Sequence, residues 1–504
     1  MANPLYDSLI GIHKNNSSDF IVDKTGHGLT SYTAFTLRVA QCANAIVESG
    51  LKPGDRLAAQ IGKSLQSLAV YLGCVQAGVV YLPLNSAYTA AELEYFLTDS
   101  AAALLICDPE SESELTAIAR KHNVLLVTQS ACGEEGSFVE KVNAASDQFQ
   151  TIDRDPHDLA ALLYTSGTTG RSKGAMLTQN NLLSNSQVLL QLWQFSDKDI
   201  LLHALPVFHT HGLFVATNII LLAGAKMIFE PKFDVDRAIE CLPYATTLMG
   251  VPTFYTRLLD DSRFTGELVQ SMRLFISGSA PLLAETHKQF ESRTGHRILE
   301  RYGMTETNMN TSNPYSGDRR AGTVGFALPG IEVKITDPES GADLPDGQIG
   351  SIEVRGPNVF KGYWNMPEKT AEELRANGFF ITGDLGQIDE DGYISIVGRD
   401  KDLIISGGFN IYPKEIELLL DEQTGVKESA VVGVPHPDFG ETVIAILVAD
   451  DQSIDLDEID AATKTSLARF KHPRKFIVVE QLPRNAMGKV QKNILRDEYS
   501  HIFS

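Results

Sequence analysis

The segment from Tyr164 to Gly174 combines glycines, hydroxyl side chains and two basic side chains in one short run. Glycines allow a backbone to approach an anion closely, and hydroxyl, ammonium and guanidinium groups donate hydrogen bonds to phosphate oxygens. The residues of the run that could contact phosphate are Thr165, Ser166, Gly167, Thr168, Thr169, Arg171 and Lys173. Such clusters also occur as solvated turns. Because two basic residues, Arg171 and Lys173, lie at the end of the run, we interpret it as a loop that binds a nucleoside triphosphate. Its spacing differs from that of a P-loop.

Two further motifs follow short apolar segments that are typical of strands. Ser277-Gly278-Ser279-Ala280 is a turn of small residues, which could admit a flat base against the backbone or could simply connect a strand to a helix. Tyr302, Thr305 and Glu306 offer an aromatic face for stacking, a hydroxyl for phosphate and a carboxylate that could hold Mg²⁺. Both motifs are therefore candidates for the same nucleotide site.

Three more candidates lie towards the C-terminus. Asp384 follows a Thr-Gly turn, where a carboxylate can accept hydrogen bonds from both hydroxyls of a ribose. Gly407 and Gly408 could let a phosphate or a thiol approach the backbone, and Lys489 lies on a glycine-containing loop. Taken singly, Asp384 could be an ordinary turn residue, Gly407 and Gly408 could form a hairpin, and Lys489 could be a solvated lysine.

The composition limits the classes of function. The chain has 504 residues, enough for more than one domain, and 43 Lys+Arg against 64 Asp+Glu give a net charge of −21. A general affinity for nucleic acid or anionic lipid is therefore excluded, and the partners are expected to be small molecules. Five cysteines without C-x-x-C spacing, no secretory signal and no long apolar run predict a protein of the cytoplasm without a membrane span. Nothing in these patterns indicates the oligomeric state.

The order of apolar segments predicts an α/β fold with two domains. Strand-like and helix-like segments alternate through the first part of the chain, which is typical of layered, largely parallel sheets. After about residue 325, strands separated by Gly, Pro and Asp turns predict a β-rich lobe. The pattern then restarts as a smaller α+β unit. We place the boundary between 399 and 400, with a large N-terminal domain at 1–399 and a small C-terminal domain at 400–504.

Considered together, and in their order along the chain, the motifs resemble those of the adenylate-forming superfamily. The matching elements are Tyr-Thr-Ser-Gly-Thr-Thr-Gly-x-x-Lys-Gly, Tyr-Gly-x-Thr-Glu, Thr-Gly-Asp, Gly-Arg-x-Lys-Asp and Asn-x-x-Gly-Lys. The superfamily includes acyl-CoA synthetases, peptide-synthetase adenylation domains and luciferases. The resemblance covers essentially the whole chain. It implies a small C-terminal domain that moves, and it implies ATP, Mg²⁺ and CoA as ligands.

The resemblance also implies roles for individual residues. The 165–173 loop would bind the β- and γ-phosphates, with Lys173 on the leaving pyrophosphate, and Thr305 would contact the α-phosphate. Tyr302 would stack on adenine beside the Ser277 to Ala280 turn, and Asp384 and Arg399 would hold the ribose. Glu306 would ligate Mg²⁺, and Lys489 would bridge the acyl carboxylate and the α-phosphate. In the second half-reaction, Lys401 matches the hinge about which the C-terminal domain rotates. That rotation would withdraw Lys489 and bring Gly407 and Gly408 to a thiol tunnel. Lys401 could instead be a salt-bridging surface lysine.

Arg301 is the main clue to the acid. The corresponding position lines the acyl pocket in the superfamily and is commonly glycine in enzymes for aromatic and fatty acids. A buried arginine should find a carboxylate, and the second carboxylate of a short dicarboxylic acid would provide a bidentate partner. An internal salt bridge, for example to Glu300, is the alternative. Arg273 is a rival for the same task.

Other residues near the predicted pocket would set its shape. His209, in a Pro-x-Phe-His-x-x-Gly element, could contact the substrate carboxylate or help to admit the thiol. Thr210 and Met309 would limit the substituent at C2 of the acid. Within the superfamily the chain looks most like the malonyl-CoA synthetases, which implies synthesis of malonyl-CoA, with methylmalonyl-CoA as a further candidate product. The alternatives are a short-chain monocarboxylate–CoA ligase and a non-catalytic nucleotide-binding protein.

Overall fold

The structure is a computed structural model that describes residues 3–165, 172–406, 409–437, 439–450, 454–485 and 488–503. The strands of this part of the chain are β1 (Asp19–Val22), β2 (Gly28–Ser31), β3 (Arg56–Gln60), β4 (Val80–Pro83), β5 (Leu104–Cys107), β6 (Leu125–Thr128), β7 (Leu159–Thr165), β8 (Lys173–Thr178), β9 (Ile200–His203), β10 (Lys226–Phe229), β11 (Thr247–Gly250), β12 (Leu274–Ser277), β13 (Leu299–Met304), β14 (Asn308–Ser312), β15 (Phe326–Ala327), β16 (Glu332–Thr336), β17 (Gly350–Arg355), β18 (Phe380–Ile388), β19 (Ile394–Arg399), β20 (Ile404–Ser406), β21 (Phe409–Ile411), β22 (Val426–His436), β23 (Gly440–Ala449) and β24 (Lys475–Val479).

The α-helices of the same residues alternate with these strands. They are α1 (Pro4–Leu9), α2 (Tyr32–Glu48), α3 (Leu65–Ala77), α4 (Ala90–Ser100), α5 (Glu112–Lys121), α6 (Ser137–Ala144), α7 (Gln179–Leu192), α8 (Asn218–Ala223), α9 (Val235–Cys241), α10 (Pro252–Leu259), α11 (Ala284–Thr294), α12 (Pro367–Glu373), α13 (Pro413–Asp421), α14 (Leu456–Ser466) and α15 (Lys492–Glu498). Within the described ranges, none of them is long and apolar enough to cross a bilayer.

Two large sheets form the body of the protein. One has six strands in the order β6-β5-β3-β4-β7-β8, and the other has nine in the order β15-β14-β13-β12-β11-β9-β10-β1-β2. Pairing is parallel from β6 to β7 and from β1 to β13, and antiparallel at the outer strands. The layered α/β architecture predicted from the alternation of apolar segments is confirmed.

A shared apolar core joins the two large sheets through helices. Buried residues of α2, α3 and α7 belong to the same cluster as residues of β3 and β9. Helix α3 is buried on every side, which suits a helix enclosed between layers. It begins at a capping box between Ser64 and Ser67 and ends at Gly78, whose φ of 69° is in the left-handed region that glycine tolerates best.

Two smaller sheets follow. A four-stranded antiparallel sheet in the order β16-β17-β18-β19 is the predicted β-rich lobe, and its last strand ends at Arg399. After the short 3₁₀ helix Asp400–Asp402, strands β20 to β24 form a five-stranded sheet that packs on α13 and α14.

Strand β8 was not anticipated at the glycine-rich motif. The sequence analysis interpreted the run from Tyr164 to Gly174 as a loop, but Lys173–Thr178 forms β8 and pairs antiparallel with β7. The six residues of β8 are too few to show a clear period of two, and the glycine at 174 weakens any strand signal. The glycine-rich run therefore connects two paired strands, and Lys173 is the first residue of the second one.

The parallel strands also define the edge where polar residues collect. His203, Gly250 and Ser277 are the last residues of β9, β11 and β12. Because these strands are parallel neighbours, their carboxyl ends meet at one edge of the sheet, which is where α/β proteins usually bind ligands.

At the opposite ends of these strands, Asp199 acts as a structural anchor. Its two carboxylate oxygens accept hydrogen bonds from Arg273 Nε and Nη2 at 2.6 and 2.8 Å. They also accept from Thr246 Oγ1 at 2.8 Å and from the Ser196 amide at 2.9 Å. Asp199 is 3% exposed. Asp199 precedes β9, Thr246 precedes β11 and Arg273 precedes β12. The carboxylate therefore holds the amino ends of three adjacent strands together.

We expect Asp199→Asn to lower the melting temperature by several degrees, because Arg273 would keep its charge without an ionic partner at a cost of about 3 kcal/mol. Thermal unfolding measured by circular dichroism tests this. Asp197→Asn is the matched control, since Asp197 is exposed two residues away. Equal melting temperatures for the two variants would show that the carboxylate contributes little to stability.

Candidate active site

The β13–β14 hairpin carries most of the predicted site residues. Strand β13 pairs with β12 on one side and with β14 on the other, so its backbone is held on both edges. Thr305 and Glu306 lie in the turn between β13 and β14. A Cβ atom on Gly303 would lie 1.8 Å from the carbonyl oxygen of Asn308, so only glycine permits this tight return.

Arg301 is a buried cation without an acidic partner. It is 2% exposed, and its Nε and Nη2 atoms have no hydrogen-bond partner among the described residues. Its guanidinium packs against the backbone of Gly278, where a Cβ atom would lie 2.4 Å from Arg301 Cζ. Burial lowers the pKa of Arg301 to about 9, so the side chain is still charged near neutral pH. The turn predicted to receive a base thus also forms one wall of the arginine site.

The structure shows neither a salt bridge from Arg301 to Glu300 nor an unpaired Arg273. Glu300 points to the other face of the strand, where its Oε1 accepts a hydrogen bond from the Leu282 amide at 3.2 Å. Burial raises the pKa of Glu300 to about 8. The rival Arg273 is paired with Asp199 and stacks on Phe195 with its Cζ 5.0 Å from the ring centroid. Only Arg301 of these two arginines is therefore free of an ion pair.

Two histidines lie close enough to Arg301 to be affected by its charge. Burial and the charge of Arg301 lower the pKa of His209 to about 4 and that of His211 well below its usual value. His211 Nδ1 is 3.2 Å from Ser279 Oγ, and its buried Nε2 has no partner in the described part of the chain. Both imidazoles are therefore neutral beside a guanidinium.

Thr210 and Met309 are both buried and are linked through the hairpin. Thr210 Oγ1 donates to Asn308 Oδ1 at 2.7 Å. Asn185 holds the backbone of Met309 on both sides, with its Nδ2 2.8 Å from the carbonyl oxygen and its Oδ1 3.2 Å from the amide. The positions of both predicted wall residues are thus restrained.

A partly buried lysine that the sequence analysis missed orders the histidine segment. Lys63 Nζ donates to the carbonyl oxygen of His203 at 2.7 Å and to its Nδ1 at 3.0 Å. His203 Nε2 must then carry the proton, and it donates to the Gly212 carbonyl oxygen at 2.9 Å. Gly212 lies in the π-helix His211–Thr217, a rare geometry that is frequent at functional sites. A lone lysine after a strand gives no sequence signal for this role.

Tyr302, Asp384 and Arg399 form a second cluster on the other face of β13. Tyr302 donates its hydroxyl proton to Asp384 Oδ2 at 2.5 Å, and Arg399 Nε is 2.7 Å from Asp384 Oδ1. Asp384 and Arg399 are opposite each other on β18 and β19. Burial and the neighbouring Asp384 raise the pKa of Tyr302 well above its usual range. Three residues that the motifs predicted separately are thus brought into direct contact.

A third cluster surrounds Lys173 and Glu306. Lys173 Nζ is 3.1 Å from Glu373 Oε1. Tyr363 places its hydroxyl 2.6 Å from Glu373 Oε2 and 3.0 Å from Glu306 Oε1, and Thr165 Oγ1 is 3.5 Å from the same atom of Glu306. Burial raises the pKa of Glu306. Tyr363 and Glu373 were not predicted, because an aromatic residue and an acidic helix end are common features of ordinary surfaces.

The C-terminal loop reaches the other clusters. A Cβ atom on Gly488 would lie 3.6 Å from Thr253 Oγ1 at the start of α10, so the loop contacts the N-terminal part of the chain. Although Lys489 is exposed, the surrounding protein and the charge of Arg399 lower its pKa to about 8. The carbonyl oxygen of Lys401 accepts a hydrogen bond from Arg496 at 3.1 Å. The predicted contacts of Ser166, Gly167, Thr168, Thr169, Gly407 and Gly408 lie outside the described residues.

Known proteins resemble the chain over most of its length. The family model described as AMP-binding enzyme matches residues 13–364, and the model described as AMP-binding enzyme C-terminal domain matches residues 415–489. A malonate–CoA ligase of Arabidopsis thaliana is 38% identical over 483 residues, covering 89% of this chain and 78% of the relative. A feruloyl-CoA synthase of Amycolatopsis sp. is 36% identical over 480 residues, covering 94% and 95%.

A solved relative matches the whole chain in two states. The crystal structure of ATP-bound MatB from Rhodopseudomonas palustris is 55% identical, covers 100% of both chains and has a TM-score of 0.97. The apo structure of the same protein has the same identity and coverage but a TM-score of 0.86. The structure is thus more similar to the ATP-bound form than to the apo form. The predicted superfamily is confirmed, and the chain belongs to the AMP-binding enzyme family.

Proposed function

We propose that this chain is an AMP-forming acid–thiol ligase that converts malonate, ATP and CoA into malonyl-CoA, AMP and pyrophosphate. The observation that carries the proposal is Arg301, a buried guanidinium whose Nε and Nη2 have no hydrogen-bond partner in the described part of the chain. Burying an unpaired charge costs several kcal/mol, so a bound ligand should supply the missing anion. Similarity to a malonate–CoA ligase and to MatB supports the same acid.

In the first half-reaction, a carboxylate oxygen of malonate attacks the α-phosphorus of ATP. The bond from that phosphorus to the bridging oxygen breaks, and pyrophosphate leaves. The attacking carboxylate is already ionised near neutral pH, so no general base is required. Lys489 would bridge the carboxylate and the α-phosphate and stabilise the charge that develops between them. The product is malonyl-adenylate.

The nucleotide would occupy the second and third clusters. Tyr302 would stack on adenine beside the Ser277 to Ala280 turn, and Asp384 and Arg399, which contact each other, would hold the ribose hydroxyls. Thr305, in the hairpin turn, would contact the α-phosphate. Lys173 would stabilise the negative charge of the leaving pyrophosphate.

Glu306 fits the requirements of a Mg²⁺ ligand. It is 5% exposed, and no lysine or arginine of the described ranges lies within salt-bridge distance of its oxygens. A buried carboxylate without a cationic partner suits a hard cation that prefers oxygen ligands. When bound there, Mg²⁺ would neutralise charge on the triphosphate. The hydroxyls of Thr165 and Tyr363 lie 3.5 and 3.0 Å from Glu306 Oε1.

The acid would lie between Arg301 and the histidine segment. The free Nε and Nη2 of Arg301 can bind the distal carboxylate in a bidentate manner. His209 is neutral and would contact the reacting carboxylate or the incoming thiol. Thr210 and Met309 would border C2 of the acid, so the same pocket would admit methylmalonate if they leave room for one methyl group.

In the second half-reaction, the CoA sulfur attacks the carbonyl carbon of the adenylate, and AMP leaves. We propose that the domain boundary lies at 399/400 and that Lys401 is the hinge. The end of β19 at Arg399, followed by a short 3₁₀ helix, supports this position. The difference between the two MatB states supports a rotation that withdraws Lys489 and presents Gly407 and Gly408 to the thiol.

We also propose a reducing compartment such as the cytoplasm. Five cysteines are free, and four of them, Cys42, Cys74, Cys107 and Cys241, are buried as thiols. A second candidate function is a ligase for a short monocarboxylate, since the related enzymes act on several acids. That enzyme would leave Arg301 without any anionic partner.

AMP formation with malonate, methylmalonate, succinate and acetate tests the proposed function. We expect the wild type to prefer malonate and Arg301→Ala to lose at least about a hundredfold in kcat/KM for malonate, because a desolvated charge pair is removed. Activity with acetate should change little. Arg297→Ala is the matched control, since Arg297 is exposed and pairs with surface acids. A wild type that uses acetate as well as malonate would favour the monocarboxylate ligase.

The lowered pKa of Lys489 predicts a pH limb in the first half-reaction. Lys489 must be protonated to stabilise the reacting anions, so kcat/KM for malonate-dependent ATP–pyrophosphate exchange should fall as pH rises through about 8. Lys489→Arg keeps its charge at every accessible pH and should remove this limb at a lower overall rate. A wild-type profile that stays flat up to pH 10 would contradict the role of Lys489.

A further inference from the structure

The ammonium of Lys173 already has an anionic partner within the protein. Its Nζ lies 3.1 and 3.3 Å from the two carboxylate oxygens of Glu373, and 4.2 Å from the centre of the Tyr363 ring. Lys173 is 8% exposed. Two oxygens at hydrogen-bond distance from one ammonium form the same contact that two oxygens of a phosphate would form. Any phosphate ligand of Lys173 must therefore compete with Glu373.

Glu373 is held in place by more than this one contact. Lys369 Nζ is 3.0 Å from Oε1, and the Tyr363 hydroxyl donates to Oε2 at 2.6 Å. Burial alone would raise the pKa of Glu373, but the hydrogen bonds from Tyr363 and Lys369 and the charge of Lys173 lower it instead. The carboxylate is thus kept ionised beside Lys173, and it is 22% exposed.

The neighbouring acid on the same helix is placed differently. Glu372 is 65% exposed and contacts Lys369 at 2.8 Å. Glu373 faces the cluster while Glu372 faces solvent, although both are negative residues at the end of α12. A change at Glu373 therefore removes the contact with Lys173, whereas a change at Glu372 removes only a negative charge at the end of the helix.

Resting on the proposed function, in which Lys173 binds the leaving pyrophosphate, we propose that Glu373 is a positioning residue that holds Lys173 when no phosphate is bound and recaptures it as pyrophosphate leaves. An internal competitor lowers the apparent affinity of every ligand that must displace it. Glu373 would therefore weaken the binding of pyrophosphate and favour its release. It would also keep Lys173 extended towards the site between catalytic cycles.

Calorimetric titration with inorganic pyrophosphate and Mg²⁺ tests the proposal without requiring turnover. Glu373→Gln keeps the shape of the side chain but removes the competing charge, so its Kd for pyrophosphate should be about tenfold lower than that of the wild type. Glu372→Gln is the matched control and should leave Kd unchanged. Glu373→Asp, which keeps its charge but is one methylene shorter, provides a second variant, and its Kd should also fall.

A double-mutant cycle shows whether Glu373 acts through Lys173. ATP is the probe here because it retains its base and ribose contacts. Glu373→Gln should tighten ATP binding in the wild-type background and have no effect in the Lys173→Met background. An equal effect in both backgrounds would assign the change to direct repulsion and would overturn the proposal.

Two further outcomes are distinguishable. Unchanged or weaker pyrophosphate binding in the Glu373→Gln and Glu373→Asp variants, with wild-type melting temperatures, would make Glu373 a plain anchor of Lys173 and overturn the inference. If the wild type then still forms AMP from malonate, the proposed function stands. A wild type that binds neither ATP nor pyrophosphate would contradict both.

Discussion

The pleat of one strand, β13, separates the two halves of the candidate site. Consecutive side chains of a strand point to opposite faces, so Arg301 and Tyr302 lie on different sides although they are adjacent in sequence. Arg301 faces Gly278 and the histidines, and Tyr302 faces Asp384. The same geometry keeps Glu300 away from Arg301. Pairing on both edges of β13 makes this arrangement rigid, and the tight turn after Gly303 then places Glu306 next to Tyr363.

The two halves of the candidate site differ in how well their charged groups are paired. The acid half contains a buried guanidinium beside two neutral imidazoles, and this is an environment that attracts an anion. In the nucleotide half both cations already contact acids, Arg399 with Asp384 and Lys173 with Glu373, whereas Glu306 has no cation within salt-bridge distance among the described residues. An acid bound in the first half would supply the anion that Arg301 lacks. A nucleotide bound in the second half would instead replace existing contacts of Arg399 and Lys173 with new ones.

Contacts between distant parts of the chain hold both halves in place. Lys63 follows a strand of the six-stranded sheet and binds His203 at the end of a strand of the nine-stranded sheet. Through His203 it reaches the π-helix, and so the wall of the acid pocket depends on the packing of the two sheets. The C-terminal loop adds Lys489 from the other side. In the proposed second half-reaction that loop must leave this position, and its contact with Thr253 must break.

Most elements and the chemistry of the site follow from local sequence. The apolar segments around Val80, Leu104 and Leu125 form strands because buried parallel strands are built from continuous apolar runs. The order of the glycine, hydroxyl, acidic and basic motifs determines the family, since each motif supplies its own donors or acceptors. Strand β8 was missed because its short pattern does not distinguish a strand from a loop.

Only the tertiary structure decided which charges meet. Sequence alone favoured Arg301 but left Arg273 as a rival, because both are arginines close to the predicted site. The choice depends on Asp199, which is distant in sequence from Arg273 but lies beside it because their strands, β9 and β12, both pair with β11. Likewise, Lys63, Tyr363 and Glu373 become part of the site through contacts between residues far apart in the chain, and such contacts leave no local pattern. Local sequence determined the chemical groups of this protein, and the packing of its sheets decided which of them are paired and which are left for a ligand.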